Sequence, residues 1–194
     1  MLTKFWTIFT VIFGTTLFVQ ADALPLEGRK FGVEINIPRL LVYSDFWKSA
    51  TGTFSRFDYE NRAEIALPWE ISTYTKTDYN DPEIHMDIIN VDLHYRKFLG
   101  EALGGFYLSG FGRVSFLNGM LDKEEVYKKT TKFGLGVGLG YRYFPKKERY
   151  YWGAGLIVGR YITGEHHIYR HIDFYLEDSS IITDIEFLKF GYAF

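Results

Sequence analysis

Hydrophobic and polar residues alternate with a period of two along most of the chain after residue 30. In residues 133–143 every odd position is apolar or aromatic, whereas the even positions are glycines and Arg142. Because successive side chains of a β-strand point to opposite faces, this pattern predicts strands with one apolar face and one polar face. Eight strands are predicted, at 30–42, 51–58, 62–72, 86–98, 105–117, 131–144, 150–163 and 181–194.

The segments between these strands differ in length in a regular way. Short turns are expected at 58–61, 99–104 and 145–149, and longer polar loops at 43–50, 73–85, 118–130 and 164–180. An even number of strands with short turns on one side and long loops on the other is typical of outer-membrane barrels. We therefore predict an all-β fold, an eight-stranded antiparallel up-and-down transmembrane β-barrel, over residues 24–194. Pro38 and Pro68 fall inside strand patterns, where each predicts a bulge or a strand end.

The first 23 residues have the features of a secretory signal peptide. Lys4 precedes an uncharged, mostly apolar run at 5–19, and Ala21 and Ala23 form the small-x-small pattern that signal peptidase cleaves. The run is shorter than the roughly 20 residues that a membrane-spanning helix needs, which argues against the alternative of a retained anchor. We predict cleavage after Ala23 and export of residues 24–194.

Composition narrows the function classes. The absence of cysteine excludes disulfides, thiolate metal sites and a cysteine nucleophile. The net charge of -2 argues against nucleic acid as a partner. The mean hydropathy of -0.10 resembles that of a soluble protein, but it averages two opposite faces of each strand.

Aromatic residues make up 19% of the chain, and several flank the charged turn at 145–149. Rings at strand ends are typical of an interfacial aromatic girdle, to which we assign Tyr141, Tyr143, Tyr150 and Trp152. The alternative is a soluble hairpin with cross-strand aromatic pairs.

The chain ends in a segment with apolar or aromatic residues at alternate positions. Leu188, Phe190, Tyr192 and Phe194 resemble the terminal strand of bacterial outer-membrane barrels. The resemblance implies that this strand is the signal read by the barrel-assembly machinery. Residues 24–194 as a whole resemble the small eight-stranded barrels of the OmpA/OmpX type, which implies a place in the bacterial outer membrane, with membrane lipid and the assembly machinery as partners.

Many polar positions of the strands carry charge. The residues expected to face the lumen are Glu34, Glu64, Glu70, Asp92, His94, Arg96, Arg113, Arg142 and Lys189. The interior of an eight-stranded barrel is only wide enough for side chains, and isolated buried charges are costly, so these groups must pair. We predict a salt-bridge plug; a gated pore or proton relay is the alternative. The inward glycines are expected to leave room for Arg and Tyr side chains from across the lumen.

Two groups of residues could carry chemistry. His94 faces inward with Ser109 and Ser115 on the next strand, and lipid A deacylases of similar shape use a His/Ser pair, which requires the base within hydrogen-bond reach. His166, His167 and His171 lie in the last loop with Glu165 and Asp173 and could bind zinc or copper; the alternative is a solvated loop.

We predict no catalytic, cofactor or metal site. The function expected is a non-enzymatic role in membrane integrity or in contact with an extracellular partner through the loops. A lipid-modifying enzyme and a narrow channel are the alternatives.

Overall fold

The computed structural model describes residues 28–41, 47–76, 84–100, 103–121, 126–145, 148–163 and 180–194. The predicted signal peptide and the histidines of the last loop lie outside these residues. Eight antiparallel strands form a closed barrel in chain order, which confirms the predicted all-β up-and-down fold. The strands are β1 (Phe31–Asn36), β2 (Trp47–Asp58), β3 (Ala63–Lys76), β4 (Ile84–Phe98), β5 (Gly105–Leu121), β6 (Val126–Tyr143), β7 (Tyr150–Thr163) and β8 (Ile181–Ala193).

The two ends of the barrel differ in their connections. The turn end carries the connections at 59–62, 99–104 and 144–149. There Phe31 and Phe194 exchange backbone hydrogen bonds of 3.1 and 2.9 Å, which join the first strand to the end of the chain. The loop end carries the connections at 37–46, 77–83, 122–125 and 164–180. In the described part of the chain, no helix is sufficiently long and apolar to traverse a membrane.

The third loop is shorter than the sequence pattern predicts. A loop was expected at 118–130, but β5 and β6 remain paired up to Leu121 and Val126. Residues 126–132 of β6 extend beyond the paired part of β7. This extension is rich in lysine and threonine, so it lacks the apolar alternation from which a strand is recognised.

The first strand is also shorter than predicted. It ends at Asn36, and residues Ile37–Leu41 form a short helix, α1, where a strand to residue 42 was expected. Pro38 explains the change, because proline is favoured in the first turn of a helix, where its missing N–H is not needed. Pro68, by contrast, stays within β3 opposite Thr53 and introduces no bulge, since the β3–β4 register is the same on both sides of it.

A bulge interrupts the alternation of β8. The β7–β8 register shifts between Gly153 and Gly155, and Leu188 opposite this shift has a φ of 50°. The extra residue places both Phe187 and Leu188 on the outer surface. Strict alternation counted back from Lys189 would place Phe187 on the inner face, and the bulge places it on the outer face instead.

The inward glycines of β6 receive aromatic rings from the neighbouring strand. Gly140 lies opposite Tyr107 of β5, and Gly136 lies opposite Phe111. A Cβ atom at either glycine would overlap the paired ring. The rings thus come from the adjacent strand. The sequence had led us to expect them from across the lumen.

Candidate functional site

The outer surface of the barrel is a continuous apolar belt. On β3 and β4 the exposed outward side chains include Ile65, Leu67, Trp69, Val91 and Leu93. Charged outward side chains of the described strands each lie within three residues of a strand end; examples are Lys48, Arg56, Lys97 and Arg160. Soluble proteins rarely expose contiguous apolar surface on this scale.

Aromatic side chains gather on the outside of the turn end. The four residues assigned to the girdle lie there on β6 and β7, with Tyr143 directly opposite Trp152. The ring centroid of Trp152 lies 4.7 Å from that of Phe190, and the Phe106–Tyr141 centroids are 5.0 Å apart. Other outward rings at this end are Phe31, Phe54, Tyr95, Tyr192 and Phe194.

The four residues assigned to the terminal signal all face outward. Phe190 contacts Tyr150 and Trp152, and Tyr192 accepts a hydrogen bond from Arg149. The structure therefore joins three members of the signal, Phe190, Tyr192 and Phe194, to the aromatic surface. Leu188 stands apart at the bulge.

The lumen of the turn end is closed by buried aromatic and apolar side chains, which we call the turn-end plug. Its members are Phe57, Phe98, Leu103, Tyr107, Phe144 and Tyr151. Tyr59 packs beneath it and donates a hydrogen bond of 2.5 Å to the carbonyl oxygen of Arg29. Partial burial of this hydroxyl raises the pKa of Tyr59 to about 12.

Above the plug, four buried residues form a charge tetrad. Arg96 Nη1 lies 2.6 Å from Glu34 Oε1 and 3.1 Å from Glu64 Oε1. Arg142 Nη1 lies 2.7 Å from Glu64 Oε2, and its Nη2 lies 3.3 Å from Glu34 Oε2. Each arginine thus bridges both glutamates, and the four charges cancel.

The tetrad and the plug contact each other directly. The guanidinium of Arg142 lies 4.5 Å from the ring centroid of Tyr151 and 5.1 Å from that of Phe98. Such cation–π contacts stabilise the guanidinium on the side that faces the turn-end plug. Nearby, Lys189 Nζ donates hydrogen bonds of 2.6 Å to Glu186 and 3.1 Å to the Tyr107 hydroxyl.

The other predicted lumen charges lie in a second group nearer the loop end. Arg113 donates two hydrogen bonds of 2.7 Å to the two carboxylate oxygens of Asp92. His94 Nε2 lies 3.3 Å from Asp92, and its ring stacks on Phe111 with centroids 5.1 Å apart. The predicted lumen charges are thus divided between two clusters.

The histidine and serines considered as a candidate pair from the sequence are not hydrogen-bonded to each other among the described residues. Ser115 donates to Asn90 Oδ1 at 2.6 Å and lies 2.8 Å from the Tyr161 hydroxyl. Neither Ser109 nor Ser115 is hydrogen-bonded to His94 in the described part of the chain. No group of three His, Cys, Asp or Glu side chains among these residues is placed to hold a metal ion.

Among the described residues, sequence reasoning missed four charged members of the lumen: Arg39, Lys132, Asp184 and Glu186. Arg39 projects from α1, forms an ion pair of 2.8 Å with Glu70 and donates a hydrogen bond to Asp184. It was missed because its segment was expected to be strand. Asp184 and Glu186 were missed because alternation counted back from Lys189 across the bulge places them on the outer face.

Comparison of the chain with protein-family models, with curated proteins and with solved structures finds no match.

Proposed function

We propose that this protein is an integral β-barrel of the bacterial outer membrane, with a non-enzymatic role in membrane integrity or in surface interaction through its loops. The observation that carries the proposal is the reversed arrangement of polarity. Among the described residues, buried polar or charged side chains outnumber buried hydrophobic ones, while large apolar side chains cover the outside. Lipid is the solvent that favours an apolar outside and a polar inside. A closed barrel also suits lipid because it satisfies its backbone hydrogen bonds internally.

The filled lumen favours a role other than transport. The turn-end plug and the tetrad lie in series along the lumen, and both consist of side chains packed against each other. The lack of a hydrogen bond between His94 and either serine likewise gives no support to a lipid-modifying enzyme. A role at the membrane surface is the function that remains.

Two measurements on the detergent-extracted protein test this proposal. We expect the folded barrel to migrate differently from the boiled protein on a denaturing gel. We also expect no single-channel conductance in planar bilayers. A protein that stays soluble without detergent would overturn the membrane assignment, and a steady conductance would favour the narrow channel.

A substitution in the apolar belt tests whether lipid or water surrounds the barrel. Leu135 is 58% exposed on the outer face of β6. In a bilayer, Leu135→Lys is expected to lower the free energy of unfolding by about 2–4 kcal/mol, whereas in water it would cost little. Glu60→Lys, in the exposed turn 59–62, is the matched control and should leave stability unchanged.

The assignment of the terminal signal has its own test. Phe194→Ala should reduce barrel assembly in cells while the purified chain still refolds in detergent, because the machinery and not the fold is affected. Phe116→Ala, at another exposed outward position, is the control. Normal assembly of the Phe194→Ala variant in cells would show that the assignment is wrong.

A further inference from the structure

Strand β1 closes the barrel and is much shorter than the other described strands. It has six residues, whereas the others have 12 to 18. It pairs with β2 opposite residues 53–56 and with β8 opposite residues 189–193. A short strand loses few ladder hydrogen bonds when it slides along its neighbours. Strand length alone therefore gives little preference for the register in which the barrel closes.

The alternation of β1 does not select this register either. Its side chains are alternately exposed and buried, with Val33 outside and Glu34 inside. A slide of one residue would exchange the two faces, but a slide of two residues keeps every apolar side chain outside. Such a slide moves the strand by about 6.8 Å along its axis. Val33, which lies opposite Tyr192, would then lie opposite Phe190 or Phe194.

The carboxylate of Glu34 distinguishes these registers. It is only 2% exposed and pairs with Arg96 of β4 at 2.6 Å and with Arg142 of β6 at 3.3 Å. Neither arginine lies on a strand adjacent to β1, so the two ion pairs fix β1 relative to the other side of the lumen. A slide of about 6.8 Å would break both pairs and leave two buried arginines with Glu64 alone, which is costly.

Gly32 distinguishes the same registers by its lack of a side chain. A Cβ atom at this position would lie 2.6 Å from Cζ of Phe57 and 3.1 Å from the hydroxyl of Tyr151, two members of the turn-end plug. A slide of two residues toward the turn end would bring Glu34 into this place, and a slide toward the loop end would bring Lys30. Only the observed register puts a residue without a side chain against the two rings.

We propose that Gly32 and Glu34 form a register key, which selects the one register in which β1 closes the barrel. The two residues are successive inward positions of the same strand. A slide by two residues therefore opposes both at once, because a side chain overlaps the plug and the arginines lose a carboxylate. The inference requires only the closed barrel and does not rest on the membrane assignment. It gives the charge tetrad a role in positioning β1 in addition to filling the lumen.

Disulfide formation in the refolded protein measures the register. The chain has no cysteine, so two introduced thiols are the only ones present. Val33→Cys is combined in turn with Tyr192→Cys, Phe190→Cys and Phe194→Cys, all on the outer face. The first combination reports the observed register, and the other two report slides toward the loop end and toward the turn end. Because a disulfide needs Cα atoms within about 7 Å, the first should cross-link at least tenfold more than the others.

A pair of matched variants tests the carboxylate. In the Glu34→Gln protein the two slid cross-links should rise at least tenfold, since the neutral amide no longer balances the arginines, although Gly32 keeps the observed register the major one. Glu64→Gln is the control, because it removes a carboxylate from the same two arginines but on β3, a strand of 14 residues. Equal yields in the parent and Glu34→Gln proteins, or an equal rise in both variants, would overturn the proposal.

A transposed key tests both residues together and serves if Glu34→Gln does not fold. Glu34→Gly combined with Asn36→Glu retains the net charge and moves both the glycine and the carboxylate two residues along β1. We expect β1 to slide toward the turn end, so that the cross-link between positions 33 and 194 becomes the main product. A main product that still joins positions 33 and 192 would show that the rest of the barrel sets the register, and the proposal would be wrong.

Discussion

The described ion pairs at the two ends of the lumen differ in their surroundings. The turn end has an aromatic plug beneath a tetrad in which each of two arginines forms ion pairs with both of two glutamates. Nearer the loop end, Arg39 on a five-residue helix forms ion pairs with Glu70 and Asp184 while part of its side chain stays exposed. The two ion-pair groups therefore differ in how far they are removed from solvent.

The comparison shows how burial changes the value of a charge. Arg142 is fully buried. Its removal would therefore leave two buried carboxylates with no solvent to replace the lost cation. Arg39 is partly exposed, and its partners have others: Asn90 donates to Glu70, and Arg113 lies 3.7 Å from Asp184. Similar ion pairs should thus contribute very differently to stability.

The largest effect is expected from Arg142→Ala. Removing one partner of a buried ion pair typically costs about 3–5 kcal/mol, because the remaining charge is left uncompensated. Denaturant unfolding followed by gel mobility measures the loss. Arg149→Ala at the exposed rim of the same end is the control and should cost at most about 1 kcal/mol. A loss below about 1 kcal/mol for Arg142→Ala would remove the distinction between the two ends.

A smaller effect is expected where a plug residue packs on glycine. Gly140→Ala should lower the free energy of unfolding by about 1–3 kcal/mol, because the new methyl group overlaps the ring of Tyr107. Gly110→Ala is a matched control on β5, since a Cβ there meets nothing within 4 Å. Equal stability of the two variants would contradict close packing at the plug.

Arg39→Gln should cost less than either of these changes at the turn end. We expect a loss of about 1 kcal/mol, since the side chain is partly exposed and its carboxylate partners retain other contacts. The same unfolding measurement applies, with Lys48→Gln on the outer face of β2 as the control. A loss as large as that of Arg142→Ala would remove the difference between the two ion-pair groups.

The smallest effect on stability is expected from ionisation of Tyr59, which packs below the turn-end plug. Burial favours the neutral form of Tyr59, so its folded pKa of about 12 lies above the ordinary value of 10.0. Its contribution to stability is therefore complete below pH 10 and is lost as the pH rises through 12. Ultraviolet titration of the phenolate, compared with Tyr59→Phe, measures this difference. A difference spectrum that titrates near pH 10 would show that the hydroxyl is not protected.

Much of the barrel could be read from period-two alternation, and the exceptions have local causes. On β6 a single rule assigned Leu135 outward and Arg142 inward, because both faces of a strand follow from its pleat. The same rule failed across Leu188, where one extra residue reverses the phase, and so it missed Asp184 and Glu186. It also failed at α1, since five residues are too few to show a helical period.

The surroundings of Arg39 were harder to foresee than the charge tetrad. Glu34, Glu64, Arg96 and Arg142 were expected in the lumen, although their pairing was not. Arg39 carried no sign of its contacts with Glu70 and Asp184, because these contacts depend on the shortness of β1 and the position of α1. Such contacts depend on distances between strands that a sequence pattern does not contain.

The sequence by itself determined the number of strands, their up-and-down order and the face of most side chains, because these follow from local alternation and from the lengths of the connections. The tertiary structure decided which charges meet and which rings cover the glycines. These features depend on the register between strands and on the bulge in β8, since a shift of one residue exchanges the two faces of a strand.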